Sequence, residues 1–184
     1  RRYYHALNDF ANGDISEAVV NRIGRLFQQV GISTADRKTT IAANERKERD
    51  NSMAVGAIEL HDGTIITAEA SPLLGSSAAL LLNATKYLAG IDHDVKLIPQ
   101  EMIEPIQKTK VDYLGGNNPR LHMDEVLVAL SVLSLNDVNC RRALAMLPEL
   151  NGLQAHATVM LSQVDQKIMK KLGILLTCDP AAKK

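Results

Sequence analysis

The feature that most constrains the fold is a β-hairpin signal in the first half of the chain. Two runs rich in β-branched and small apolar residues, "MAVGAIEL" and "TIITAEA", flank the tripeptide His61-Asp62-Gly63. An Asp-Gly pair between such runs is typical of a tight antiparallel hairpin. The next segment, "SSAALLLNATKYLAG", is apolar on nearly all sides, which predicts a helix buried against a sheet. An α/β domain is therefore expected.

Beyond the hairpin, short apolar runs alternate with longer helical segments. The predicted strands are "VKLI", "HATVML" and "ILLTC", and the predicted helices cover residues 121–135, about 137–146 and 163–173. Residues 99–120 are predicted to form an irregular insertion. This alternation predicts a three-layer α/β/α sandwich with a mixed, mostly parallel sheet. We assign the sandwich to residues 34–180.

A helical lead-in segment, residues 1–33, precedes the sandwich. It is predicted to contain two helices, "RRYYHALNDFA" and residues 15–30, with Asp14 as the N-cap of the second. The run "STADRKTTIAANERKERD" fits either a third helix or a strand. The chain opens inside a helical pattern and without a methionine, so we expect it to be part of a longer protein.

The balance of positive and negative charge argues against some classes of binding partner. Lysine plus arginine and aspartate plus glutamate each number 21, which leaves no net charge. We therefore expect neither nucleic acid nor a membrane surface as a partner. The chain has two widely separated cysteines, no secretory signal and no apolar run of membrane-spanning length. These features predict a cytoplasmic location.

The order of elements resembles that of the cytidine-deaminase-like fold, in which two helix N-termini converge on a zinc pocket. That chemistry needs a His or Cys with a Glu two residues on, followed by P-C-x-x-C at the second helix. Here the two helices begin "GSSAALLL" and "NNPRLHMDE", which lack both patterns. We therefore expect no zinc-dependent deamination, and no metal or cofactor.

The stretch "GGNNPRLHMDE" is the main candidate for a site. Free amides at the start of the following helix favour an anion, and Arg120 offers a bidentate fork for phosphate or carboxylate. His122 is a candidate for proton transfer, and His156, at the start of a strand, is a second one. The predicted ligand-binding residues are Ser76, Ser77, Asn117, Asn118, Arg120 and His122.

Each of these residues also has a purely structural interpretation. Asn118 is then the cap of the helix that Pro119 starts, and Arg120 pairs with a neighbouring carboxylate. Ser76 is a plain N-cap, and the two histidines, His122 and His156, are satisfied in or near the core. The sequence leaves both interpretations open.

Several segments resemble the C-terminal part of an uncharacterised bacterial family, domain-of-unknown-function family 1846. They are "DRKTTIAA", "GAIELHDGTIIT", "VKLIPQEMIEPIQ", "LGGNNPRLHMDEVLVAL", "AHATVML" and "KKLGILLTCDP". Members of that family are much longer, and their N-terminal region resembles a P-loop nucleotide-binding domain. The resemblance implies one module of a bacterial cytoplasmic protein, with that N-terminal domain as a partner. It transfers no catalytic residue.

Two functions are compatible with the sequence. The first is a ligand-binding or accessory module of a larger nucleotide- or phosphate-dependent protein, with an anion pocket at converging helix N-termini. The alternative is a non-catalytic scaffold or homo-oligomerisation domain, in which the apolar helix over residues 80–88 meets a partner. The sequence does not decide whether the chain is an enzyme.

Overall fold

The computed structural model describes residues 1–180, which form an α/β fold with eight α-helices and one four-stranded mixed sheet. The elements, in chain order, are α1 (Arg2–Ala11), α2 (Glu17–Gln29), α3 (Lys38–Asp50), β1 (Val55–Glu59), β2 (Ile65–Glu69), α4 (Ser76–Leu88), α5 (Gln100–Lys108), α6 (Met123–Leu133), α7 (Val138–Ala145), β3 (Gln154–Ala157), α8 (Gln163–Lys171) and β4 (Leu175–Cys178). Within residues 1–180, no helix is long and apolar enough to cross a membrane.

The predicted hairpin is confirmed. Strands β1 and β2 pair antiparallel, from Val55 opposite Glu69 to Glu59 opposite Ile65. In the turn between them, Asp62 Oδ1 accepts a hydrogen bond of 2.9 Å from the Thr64 amide. Gly63 has a φ of 85°, which a residue with a side chain rarely adopts. The Asp-Gly pair thus supplies both the side-chain acceptor and the backbone conformation of the turn.

The sheet is mixed, but the prediction that it is mostly parallel was wrong. The strand order is β2-β1-β3-β4; β1 pairs antiparallel with both neighbours, and only β3 and β4 are parallel. The predicted strand at residues 95–98 is absent from the sheet. There, Lys86 Nζ donates to the carbonyls of His93 (2.6 Å) and Val95 (3.2 Å), so a side chain rather than a strand neighbour binds this backbone.

Helices pack on opposite faces of the sheet. On β1, Val55 and Ala57 contact Ala43 of α3, whereas Ile58 belongs to the core on the α4 side. Because successive strand residues point to opposite faces, α3 and α4 lie on opposite sides of β1. The segment that fitted either a helix or a strand is therefore a helix, α3, preceded by a 3₁₀ turn at Thr34–Asp36. The larger core lies on the α4 side.

Three helix predictions need correction. Helix α2 begins at Glu17 after Ser16, so Asp14 is not its N-cap. Residues 99–120 are not irregular throughout, because they contain α5 and a π-helical turn at Thr109–Tyr113. Ile103 of α5 is buried in the main core, and packing of this kind outweighs the helix-breaking tendency of Pro105. Helix α6 starts at Met123, two residues later than predicted.

Candidate functional site

Helices α4 and α6 begin side by side. The Gly75 amide donates to the Leu121 carbonyl at 3.1 Å, and the Leu121 amide donates to the Leu73 carbonyl at 2.9 Å. These bonds form a short parallel bridge between Leu74 and Leu121, directly before the two helices. The first turns of α4 and α6 are therefore fixed next to each other by the backbone itself.

The first turn of α8 joins this arrangement through a buried carboxylate, that of Asp165. Its Oδ1 accepts from the Met123 amide at 2.9 Å, and its Oδ2 accepts from the Ser162 hydroxyl at 2.8 Å. Only 5% of the Asp165 side chain is exposed. The Ser162 Oγ in turn accepts from the Asp165 amide, which caps α8. The starts of α6 and α8 thus meet around one acidic group, and the backbone bridge places the start of α4 beside that of α6.

His122 lies at the edge of this cluster with its ring oriented. Its Nδ1 is 3.0 Å from Asp165 Oδ2, and its backbone amide donates to Glu125 Oε2 at 2.7 Å. The side chain is 26% exposed, and no residue among 1–180 forms a hydrogen bond with its Nε2. When Nδ1–H donates a hydrogen bond to Asp165 Oδ2, Nε2 is the unprotonated nitrogen of the ring and can accept a hydrogen bond. This geometry suits proton transfer to or from a bound molecule.

Ser162 does not complete a nucleophilic triad. Its Oγ is 3.5 Å from His122 Nδ1, the same nitrogen that faces Asp165. In a Ser-His-Asp triad the serine and the acid contact opposite ring nitrogens. Ser162 is therefore a cap and a partner of Asp165.

Arg120 is anchored to the turn before α4 rather than to the carboxylates of α6. Its Nε donates to the Ser71 carbonyl at 2.8 Å, and no terminal guanidinium nitrogen of Arg120 has a partner among residues 1–180. The pairing of Arg120 with Glu125 that the sequence allowed is replaced by an ion pair between Glu125 and Lys110, at 2.8 Å. The free end of the Arg120 fork is available to a ligand.

The asparagines before Pro119 do not cap α6, because His122 occupies that position. Asn118 Oδ1 instead accepts from the Arg120 amide at 3.2 Å, and Asn117 is exposed.

The two neighbouring glycines, Gly115 and Gly116, are needed for the conformation of the loop itself. Gly115 has a φ of 68°, and a Cβ on Gly116 would lie 2.9 Å from the Lys110 carbonyl oxygen. The close approach at Gly116 is therefore to the protein's own backbone.

Ser76 and Ser77 are buried in the first turn of α4. The N-cap of this helix is Gly75, which has no side chain, and no side chain among the described residues caps the helix. The first amides of α4 thus lack the side-chain acceptor that α6 receives from Asp165 and Glu125. Of the two helix ends, that of α4 has the fewer side-chain acceptors.

His156 lies elsewhere, on the sheet face towards α1. It is fully buried, its Nδ1 is 2.9 Å from Thr177 Oγ1, and its ring centroid is 5.0 Å from that of Tyr4. Its Nε2 is 3.4 Å from Asp179 Oδ1 without hydrogen-bond geometry, so that contact is electrostatic only. The neighbouring Ala155 belongs to the core on the opposite face. The structure therefore does not bring His156 and His122 together.

Asp165 and Ser162 are the residues that sequence reasoning missed. The signal was present as "SQVD" at residues 162–165, a serine followed three residues later by an acid at the start of a helix. What the pattern did not show is that the same carboxylate also reaches α6.

The two cysteines and the potential metal ligands limit the chemistry that the chain can perform. Burial raises the pKa of the Cys178 thiol to about 11 and also raises that of Cys140, so both thiols are protonated at neutral pH. They are free and buried, unlike reactive cysteines, which are partly exposed thiolates. In the described part of the chain, no three His, Cys, Asp or Glu side chains are grouped to hold a metal ion.

Comparison with known proteins identifies the family. The family model described as "Domain of unknown function DUF1846, C-terminal" matches residues 35–184. The chain belongs to the DUF1846 family. Its DUF1846 relatives include UPF0371 proteins of Corynebacterium urealyticum, Corynebacterium aurimucosum and Streptococcus thermophilus strain LMD-9, which are 49%, 47% and 43% identical over 98% of this chain. The chain spans 36% of the length of each, about a third.

Proposed function

We propose that this chain is a ligand-binding or accessory module of a larger phosphate- or nucleotide-dependent protein. The anion binds where α4 begins, beside His122. The observation that carries the proposal is the His122 ring, held at Nδ1 by a buried carboxylate while Nε2 stays open next to an uncapped helix start. Membership of a family described as a domain of unknown function leaves this role open to experiment.

The electrostatics favour α4 over α6 as the anion-binding end. The positive end of α6 is already neutralised by Asp165 and Glu125, both bonded to its first amides or its cap. At α4 the amides of Ser76 and Ser77 receive no such side chain. Arg120, fixed on the turn that leads into α4, adds a positive charge at the same end. A phosphate group matches this combination of amides and guanidinium.

The proposal also covers the type of fold, the cellular location and the N-terminal domain of the longer relatives. Helices on both faces of the sheet and a hairpin that leads into α4 support a three-layer α/β/α sandwich related to the deaminase-like fold, without its zinc motif. In that fold the second pocket helix would be α8, which connects the parallel strands β3 and β4, and not α6 as expected from the sequence. We further propose a cytoplasmic location, and a P-loop-like N-terminal domain in the longer relatives that delivers the ligand.

Replacing Arg120 with Ala should weaken binding of the anion. We expect the Kd for inorganic phosphate or a nucleotide, measured by titration calorimetry, to rise about tenfold, because one charge-assisted contact is lost. The loop should remain in place, since Lys110 Nζ still binds the carbonyl of residue 120 at 2.8 Å.

Arg141→Ala is the matched control for this test. The Nε of Arg141, a residue of α7, also donates a hydrogen bond to a backbone carbonyl, that of Ser134, at 3.3 Å, but this carbonyl is at the C-terminal end of α6. Its removal should leave the Kd unchanged. If Arg120→Ala binds phosphate and nucleotide as tightly as the unaltered chain does, the site is not at α4.

One observation favours the alternative, a scaffold or oligomerisation role. A groove between α5 and α6 is lined mainly by apolar side chains, together with Asp124 and Glu125. Val128 and Val132 in it are 66% and 56% exposed. The helix over residues 80–88, which the sequence offered as the partner surface, is the wrong one, because Leu80, Leu81 and Leu82 are buried. An apolar groove of this kind is the surface on which a second copy would pack.

Light scattering tests the alternative. If the groove holds a second copy, the chain should be a dimer or larger at micromolar concentration, and Val128→Glu should make it a monomer, because burying an unpaired carboxylate is costly. Val138→Glu is the control, since Val138 is equally exposed but lies outside the groove. A monomer in the unaltered chain, at every concentration tested, would exclude this role for the chain.

A further inference from the structure

We infer that an open cavity between α1, α8 and β4 is a second binding site, separate from the start of α4, and that it takes a nucleoside monophosphate. Its volume is about 610 Å³, within the range of roughly 300–1,000 Å³ typical of small-molecule sites. The polar residues that matter to the argument are Arg1, Arg2, His5, Asn8, Lys167 and Lys170.

The charge of this cavity is of one sign. Arg1, Arg2, Lys167 and Lys170 line it, and none of its lining residues in the described part of the chain carries a carboxylate. No ion pair within residues 1–180 involves Lys167 or Lys170. Like charges that converge without a counter-charge repel one another, and a bound anion relieves that repulsion.

The pKa of His5 reflects the same positive electrostatic potential in the cavity. Its pKa is lowered, first by burial and then by the positive charge of Arg1, while Asp9, outside the lining, offsets part of the effect. The Arg1 guanidinium is thus close enough to His5 to disfavour a second positive charge there. A phosphate group placed among them would gain charge-assisted hydrogen bonds from both α1 and α8.

The floor of the cavity favours a ligand with more than a phosphate group. It is formed by β4 and the residue before it, including Ile174, Leu176 and Cys178, and is largely apolar. Because β4 is an edge strand, one row of its backbone donors and acceptors has no partner in the sheet. In that row the Leu176 amide donates to the Ile174 carbonyl and the Cys178 carbonyl accepts from Asn8, so a planar base laid on this floor gains mainly apolar contact.

Asn8 supplies an independent sign of an absent partner. It lines the cavity, and its Nδ2 donates to the Cys178 carbonyl at 3.3 Å. Its Oδ1 is buried and accepts no hydrogen bond. A buried acceptor without a donor is costly, and rotation of the Asn8 side chain towards the cavity would offer this oxygen to a donor on a ligand, such as the exocyclic amino group of a base. Charge, floor and acceptor together point to a nucleoside monophosphate rather than to free phosphate.

Titration calorimetry with AMP and with inorganic phosphate tests this inference on the full 184-residue chain. We expect AMP to bind at least about tenfold more tightly than phosphate, because only AMP uses the apolar floor and the Asn8 acceptor. The double variant Lys167→Glu, Lys170→Glu should raise the Kd for AMP by about tenfold or more, since two attractive charges become repulsive.

The matched control is Lys96→Glu, Lys108→Glu, which changes the charge by the same amount at exposed lysines outside the cavity and outside α1, α8 and β4. It should leave the Kd for AMP within about twofold of the original value, since distant exposed charges are largely screened. Equal weakening by both double variants would overturn the inference, as would equal affinity for AMP and phosphate or no binding of AMP at all.

The binding site in this cavity and the one proposed at α4 can be tested independently. The effect of Lys167→Glu, Lys170→Glu on AMP binding should be the same size in the Arg120→Ala background, because Arg120 does not line the cavity. If the Arg120→Ala change alone abolishes AMP binding, the ligand lies at α4 and not in this cavity.

Discussion

Asp165→Ala is expected to lower the free energy of unfolding by about 3–4 kcal/mol, the loss typical of removing one partner from a buried charged network. The Asp165 carboxylate accepts hydrogen bonds from the Met123 amide and the Ser162 hydroxyl, and it faces His122 Nδ1. Its removal leaves a buried amide without an acceptor and releases the His122 ring. Urea unfolding followed by circular dichroism measures the loss, which would be a large part of the stability of an ordinary domain.

Asp124→Ala is the matched control. Asp124 is one residue from Met123 in the first turn of α6, but its side chain is exposed and forms no ion pair or hydrogen bond within residues 1–180. Its loss should cost less than about 1 kcal/mol, the usual contribution of an acid near the N-terminus of a helix. If the two variants unfold at the same urea concentration, Asp165 does not hold the starts of α6 and α8 together.

The same network separates stability from function. Asp165→Asn keeps the volume of the side chain and one acceptor oxygen, so it should cost less stability than Asp165→Ala. It nevertheless replaces the negative charge that orients His122. Asp165→Asn should therefore keep most of the stability but no longer fix the orientation of the His122 ring. This variant distinguishes a carboxylate that only stabilises the fold from one that positions His122.

The local parts of the fold were predictable because their signals lie within a few residues. The turn at Asp62 and Gly63 needs only its own side-chain acceptor and a positive φ, both of which two residue types encode. Likewise, the buried helix α4 follows from an apolar run without a polar face. Such features depend little on contacts with the remainder of the chain.

The pairing of β3 could not be predicted in the same way. Between β2 and β3 the chain passes through four helices, and the order of the strands depends on how those helices pack. The run at 95–98 has the residue types of a strand, but the buried Lys86 amine takes two of the nearby carbonyls. A contact between a helix residue and a loop decides the outcome there, and no local pattern records it.

For the candidate site, the sequence located the loop but not its partner. The stretch from Gly115 to His122 does precede α6 and does lie beside Gly75. Asp165, 43 positions after His122, supplies the group that gives the histidine its orientation. A capping serine and acid are common at helix starts, so "SQVD" by itself predicts only a cap. The link to His122 is tertiary.

Leu121→Ala is expected to lower the free energy of unfolding by about 3 kcal/mol, as is usual when a fully buried leucine leaves a cavity. Leu121 is 0% exposed in the main core, and its backbone bridges α4 and α6 through Leu73 and Gly75. The cavity would lie directly beneath the proposed anion site. We therefore expect phosphate or nucleotide affinity to fall as well, because the start of α4 loses part of its support.

Leu114→Ala is the control for that change, since it removes the same side chain from the same connection at a position that is 77% exposed. It should alter stability by less than about 0.5 kcal/mol. A second comparison separates packing from binding: Leu121→Met keeps nearly the full volume, so stability and affinity should both recover in large part. Should Leu121→Ala lose stability yet bind phosphate and nucleotide as before, the junction of α4 and α6 supports the core alone, and the ligand is held elsewhere.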